Sequence, residues 1–368
     1  MKYCIDAIGL TRLVIFLAAF STIFGASPPV PTEKSKLDSW FLENVKPFAD
    51  RKAELDPALV TAEENTTVVK VRTDGSGDFK TITEAINSVP AGNTRRVVIW
   101  IGEGVYKEKL KIDRNKPFVT LYGSPNNMPK LTFDGDAAKY GTVYSATLIV
   151  ESDYFTAANL IIENSSPRPD GKRKGAQALA ARLLGTKAAV YNCKFYGFQD
   201  TLCDDDGLHL YKDCFIQGTV DFIFGKGTSL YLNSQLDVVG DGGLGVITAH
   251  SREQESDGSG YSFVHCSITG TGGKNTYLGR AWMPRSRVVF AYTTMADIIH
   301  SEGWNDMNHA GYDATVLFGE YKCSGPGSEP SGRVKYSKQL SDVEVKPFIS
   351  LGYVQSEKWL LPPPNPQA

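Results

Sequence analysis

The sequence predicts an all-β fold, a parallel solenoid, and three observations carry that expectation. Residues 189–195, 210–216, 230–236 and 262–268 share one template: an alternating strand, a polar residue, a small Cys or Ser, then another apolar position. The polar position recurs at Asn192, Asp213 and Asn233, steps of 21 and 20 residues, and again 32 residues later at His265. Glycine, at 35 of 368 residues, exceeds the roughly 7% of average usage, as a fold made of many turns requires. A unit of about 20 residues cannot bury its apolar face alone, so neighbouring coils must stack their strands. The alternative is a β-sandwich, but its turns would fall every 8–12 residues without a repeated residue template.

Composition narrows the function classes. With 42% hydrophobic and 22% charged residues the chain is neither disordered nor a coiled coil nor collagen-like. Its 39 basic and 41 acidic residues, a net charge of -2, argue against nucleic acid as a partner. Five histidines and six cysteines argue against a His-rich metal site.

In chain order, residues 1–26 read as a signal peptide. Lys2 and Arg12 precede an apolar run from Leu13, too short to span a bilayer comfortably, that ends in Gly25 and Ala26. An uncleaved anchor is the rival reading, since no clean small-x-small cleavage site is visible. The chain without residues 1–26 carries 37 basic against 40 acidic residues. Two acceptor sequons, at Asn65 and Asn164, suit secretion. Residues 27–67, Pro- and charge-rich with a short helix near Leu37 to Phe48, form a tether or wrapping arm. The β-domain occupies 68–350, opening on the alternation Val68-Val69-Lys70-Val71 and a brief helix that Pro90 ends, and 351–368 form a tail. Further strands are expected at 96–101, 118–122, 146–150 and 160–162.

The repeat also places polar residues. Asp200 and Asp221 follow the Cys193 and Cys214 strands and lie 21 residues, one coil, apart. Strands are spaced about 4.8 Å, so carboxylates in register sit roughly 5 Å apart. Gln177 lies 22 residues before Gln199, which adds an amide ladder beside the acids. Two carboxylates so close cannot both ionise cheaply, which separates an acid/base from a nucleophile. Asp221, framed by Val220, Phe222, Ile223 and Phe224, needs a cation, and Arg280 is the candidate. The alternative is that both aspartates cap turn amides.

Other features yield less. The segment Gly240-Asp241-Gly242-Gly243-Leu244-Gly245 matches G-x-G-x-x-G without a βαβ context, and G-x-S-x-G is absent. His250 is expected in a loop, and His209 and His265 on repeat strands. Cys193 and Cys214 are either a disulfide across one coil or, the favoured reading, an unbonded small-residue stack.

Five ordered segments resemble the signatures of plant pectin methylesterases: 104–108, Gln177 to Arg182, Gln199-Asp200-Thr201-Leu202, Gly218 to Gly225, and Leu278-Gly279-Arg280-Ala281-Trp282. The resemblance runs from about Val68 to Phe348 and is to the short class without an inhibitor-like pro-domain. It implies a right-handed parallel β-helix that removes methyl esters from homogalacturonan (pectin) and releases methanol. Asp221 would be the nucleophile, Asp200 the acid/base, Gln177 and Gln199 the oxyanion donors, and Arg280 the residue orienting Asp221. Gln177, Phe224, Arg280, Trp282 and Thr147 would contact substrate. The resemblance further implies no cofactor and no metal, a monomer secreted to the cell wall or apoplast, and a proteinaceous inhibitor as a partner. No nucleic acid and, once the signal is removed, no membrane are expected as partners.

Two departures stand out. Ala281 replaces a Pro common in its segment, and Cys203-Asp204-Asp205-Asp206 replaces a Tyr-x-His stretch, which suggests an acidic triplet at the cleft edge. The competing classes are a pectin-cleaving glycosidase or lyase, because carboxylates about 5 Å apart also suit retaining hydrolysis, and a non-catalytic pectin binder.

Overall fold

In a computed structural model, residues 27–307, 309 and 311–366 are described. Three parallel sheets, of eleven, eight and eight strands, run the length of the molecule. Successive coils place one strand in each, in the order back sheet, lateral sheet, cleft sheet. The coil after Ala188–Tyr191 continues through Lys194–Tyr196 and Leu202–Asp204 before returning at Leu208–Lys212. This is the parallel β-helix that the repeat implies.

The template positions explain the corners. Asn192, Asp213, Asn233 and His265 all have left-handed backbone, φ 47°, 59°, 53° and 53°, the region that Asn and Asp tolerate best among residues with a Cβ. Each turns the chain from the back sheet to the lateral sheet. The small residues that follow, Cys193, Cys214, Ser234 and Cys266, are buried in one file. All five described cysteines are free thiols, so the file is an unbonded stack. On the inner face of the back sheet Tyr211, Tyr231, Phe263 and Phe290 stack ring on ring with centroids 4.4–4.6 Å apart, close to the strand spacing itself.

Both ends of the coil stack are closed. At the first coil the helix Ile82–Ser88, with a Thr81/Glu84 capping box, inserts Ile82, Ala85 and Ile86 into the core. At the last, Glu320 occupies the row of stacked rings and is held by Arg333 through bonds of 2.8 and 3.0 Å.

The arm is more than a tether. Helices Leu37–Asn44, Phe48–Arg51 and Pro57–Glu64 lie on the outer face of the back sheet. There Leu37, Trp40, Phe41, Leu55 and Leu59 join Tyr191, Leu210, Leu230 and Val264 in a second hydrophobic cluster. The segment expected as a tail belongs to the same cluster: Leu351, Tyr353, Val354, Trp359 and Leu360 are buried. Arg51 bonds the carbonyls of Glu357 and Leu360, which ties the two termini of the described chain together. The proposed signal, 1–26, lies outside the described residues.

Candidate active site

The cleft sheet carries the site because its strands hold an outward row in register. Ile149, Arg182, Cys203, Phe224, Ala249, Arg280 and Asn305 pair successively across seven strands. Asp200 and Asp221 each stand two residues before a strand of this sheet. Leu202 pairs with Ile223, which sets the two aspartates one coil apart in register. Both adopt left-handed backbone, φ 66° and 52°, a conformation of limited population that tends to mark functional positions. Gly218 is needed nearby, since a Cβ there would meet Phe222 Cβ at 2.1 Å. At Gly279 a Cβ would strike Thr248 Oγ1 at 2.3 Å, so a side chain would push apart the strands that aim Arg280.

Gln177, Gln199, Asp200, Asp221, Phe224, Arg280 and Trp282 converge on one cleft of about 290 Å³. Arg280 grips Asp221 with two parallel bonds, Nε to Oδ1 at 2.7 Å and Nη2 to Oδ2 at 2.8 Å. Phe224 and Trp282, centroids 5.9 Å apart, form an aromatic corner. Asp200 is 8% exposed. Burial, reinforced by the Asp221 charge and only partly offset by Arg280, pushes its pKa up to about 8. The two acids therefore differ as the spacing argument expects, one tied to a cation and one favouring its proton at neutral pH. Neither glutamine side chain is hydrogen-bonded to another described residue, so both amides are free to face a ligand.

Three of the residues singled out from sequence sit elsewhere. Thr147 is fully buried and its hydroxyl donates to the Glu163 carbonyl at 2.7 Å, so it does not reach the cleft. Asn164 is 3% exposed and its amide nitrogen donates to the carbonyls of Gly135, Ser145 and Leu179. The atom that would carry a glycan is thus consumed inside the fold, whereas Asn65 is exposed. Asp204 points inward and not to the cleft edge: it accepts bonds from His209 Nδ1 at 2.5 Å and the Tyr231 hydroxyl at 2.6 Å. His250 closes the strand Gly245–His250, not a loop, and is buried. Thr142, Val143 and Ala249 also line the cleft, and no sequence motif marks them.

A family model described as Pectinesterase matches residues 68–357. The olive protein named Pectinesterase 1 is 56% identical over 336 residues, 91% of this chain and 91% of its own length. The chain belongs to the pectinesterase family. Among solved structures, this pectinesterase resembles the carrot pectin methylesterase, with TM-score 0.71 and 29% identity over 76% of this chain and 90% of that one. A pectin methylesterase in complex with a hexasaccharide matches with TM-score 0.66 and 28% identity, covering 82% of this chain and 100% of the other. The all-β, right-handed parallel helix and the ester-hydrolase class expected from sequence both hold.

Proposed function

We propose that this pectinesterase hydrolyses the methyl esters of homogalacturonan with Asp221 as nucleophile. An Asp221 oxygen attacks the ester carbonyl carbon while Arg280 pairs with the carboxylate and aligns it. The developing oxyanion takes hydrogen bonds from the Gln177 and Gln199 amides, each such donor contributing about 3–4 kcal/mol in comparable sites. Asp200, protonated, delivers its proton to the departing methoxide, so methanol leaves and an acyl-enzyme anhydride remains. Asp200, now ionised, takes a proton from water, whose oxygen adds to the substrate acyl carbon and frees the pectate carboxylate and Asp221. Phe224 and Trp282 offer flat faces to the sugar rings.

The observation that carries this reading is the two-bond Arg280–Asp221 pair beside a carboxyl that keeps its proton. An oxocarbenium site for chain cleavage has no evident use for the paired glutamines. Delivery to the cell wall, monomeric action and capture by a proteinaceous inhibitor belong to the same reading. Among the described residues, no helix is long and apolar enough to cross a membrane.

The test incubates the protein with highly methylated pectin and measures methanol and chain length together. Methanol without shortening is expected, and shortening without methanol would replace the reading with a glycosidase or lyase. Asp221→Asn should abolish turnover with pectin binding kept; substantial residual turnover would remove Asp221 from the nucleophile role.

A further inference from the structure

Beside the catalytic cleft lies a second feature that the ester chemistry leaves unused. Tyr144 directly follows Thr142 and Val143 on the cleft wall, and its ring is 54% exposed. The Arg182 guanidinium backs that ring at 5.4 Å from the centroid. Arg182 itself is 9% exposed and stands in the outward row of the cleft sheet, in register with Cys203, which pairs in turn with Phe224. It is therefore about 4.8 Å from the strand that follows Asp200 and about twice that from Phe224. Asp205 takes its Nε and Nη2 at 2.8 and 2.6 Å. The remaining nitrogen, Nη1, is buried and has no hydrogen-bond acceptor.

We propose that Tyr144, Arg182 and Asp205 form a specificity-determining subsite that takes a methyl-esterified galacturonate on the first-coil side of the catalytic pocket. This rests on the pectinesterase reading above. An exposed ring braced by a guanidinium presents a fixed flat face to the C–H face of a pyranose. Charge decides which pyranose. Arg182 and Asp205 cancel, and the remaining Nη1 is enclosed behind the ring, so the site offers no open cation to a uronate carboxylate and no charge penalty to a neutral methyl ester. A free uronate carboxylate would instead meet the Asp205 charge, with the exposed Asp206 next to it. The subsite thus favours an esterified neighbour and disfavours one already hydrolysed, which sets where along a partly processed chain the enzyme acts.

The experiment compares the wild-type chain with Tyr144→Ala, Tyr144→Phe and Asp205→Asn on fully and half-esterified hexagalacturonides. Tyr144→Ala should raise KM for the full ester three- to tenfold with kcat within twofold, and Tyr144→Phe should behave as wild type. Asp205→Asn, which leaves Arg182 uncompensated, should shrink the kcat/KM preference for the full ester at least threefold. A fall in kcat in Tyr144→Ala, with or without a change in KM, overturns the proposal, as do unchanged constants or an unchanged preference. Absence of methanol from the wild-type chain would defeat the pectinesterase reading instead. Calorimetric binding of the full ester to wild type and Tyr144→Ala then decides the subsite alone: equal affinities overturn it, and a weaker variant sustains it.

Discussion

Asp200 and Asp221 show how position sets apart identical side chains. Both sit in left-handed turns one coil apart, and what separates them is that Arg280 commits both guanidinium bonds to Asp221 and leaves Asp200 to its desolvated surroundings. Burial, first, and then the Asp221 charge raise the Asp200 pKa to about 8, so the acid form that the proposed mechanism uses for methanol departure is present below that pH and lost above it. Initial rates of methanol release should show kcat/KM falling about tenfold per pH unit beyond roughly pH 8. Asp200→Asn should lose that alkaline limb together with a 10²–10⁴-fold drop in rate. An unchanged limb in the variant would assign it to another group. The acid pair and the glutamines were legible in the sequence because the coils they span run 21 and 22 residues, which converts spacing into proximity, and Arg280 was legible from the segment Leu278-Gly279-Arg280-Ala281-Trp282. Thr147 was misplaced because it precedes the strand Leu148–Val150, where the in–out alternation does not yet apply, whereas Asn164 and Asp204 end the strands Ile161–Asn164 and Leu202–Asp204 and face inward as the alternation of those short strands dictates.

At the scale of the element, the repeat was readable because each of its positions answers a separate physical demand. The corner needs left-handed backbone, and the file behind it needs a side chain small enough to stack at strand spacing. Asn233 meets the first demand and also donates to Asp213 Oδ1 at 2.6 Å, linking neighbouring coils. Asn233→Ala should cost about 1–2 kcal/mol, the penalty for a Cβ in that region without a compensating bond. Asn233→Gly should recover a large part of it, since glycine enters the region freely. Denaturant titration of the pair tests this: equal losses would place the cost in the hydrogen bond and not in the backbone. The Tyr144–Arg182 contact was not legible. It joins residues 38 positions apart across a turn, and no periodicity connects a wall loop to a strand.

For the whole molecule, function constrains where stability can come from. A polymer-binding cleft must stay open along the cleft sheet, so further burial has to be found on another face. Uncovered, the outer face of the back sheet would expose Tyr191, Leu210, Leu230, Leu232 and Val264 as one continuous apolar strip, an aggregation liability for any soluble chain. The arm and the last buried segment cover it, and Arg51 fastens one to the other. The cover and the proposed catalytic residues lie on different sheets, so the two should be separable by mutation. Phe41→Ala and Leu59→Ala, each removing a buried side chain from the arm, should destabilise by about 2–5 kcal/mol, lower Tm and promote aggregation. The exposed neighbour Leu42, 66% accessible, should tolerate Ala within about 0.5 kcal/mol. In every case kcat per folded molecule should stay at the wild-type value, measured well below Tm. A kcat that falls in step with stability would mean that the arm also shapes the cleft, and the division between an open catalytic face and a covered stabilising one would have to be abandoned.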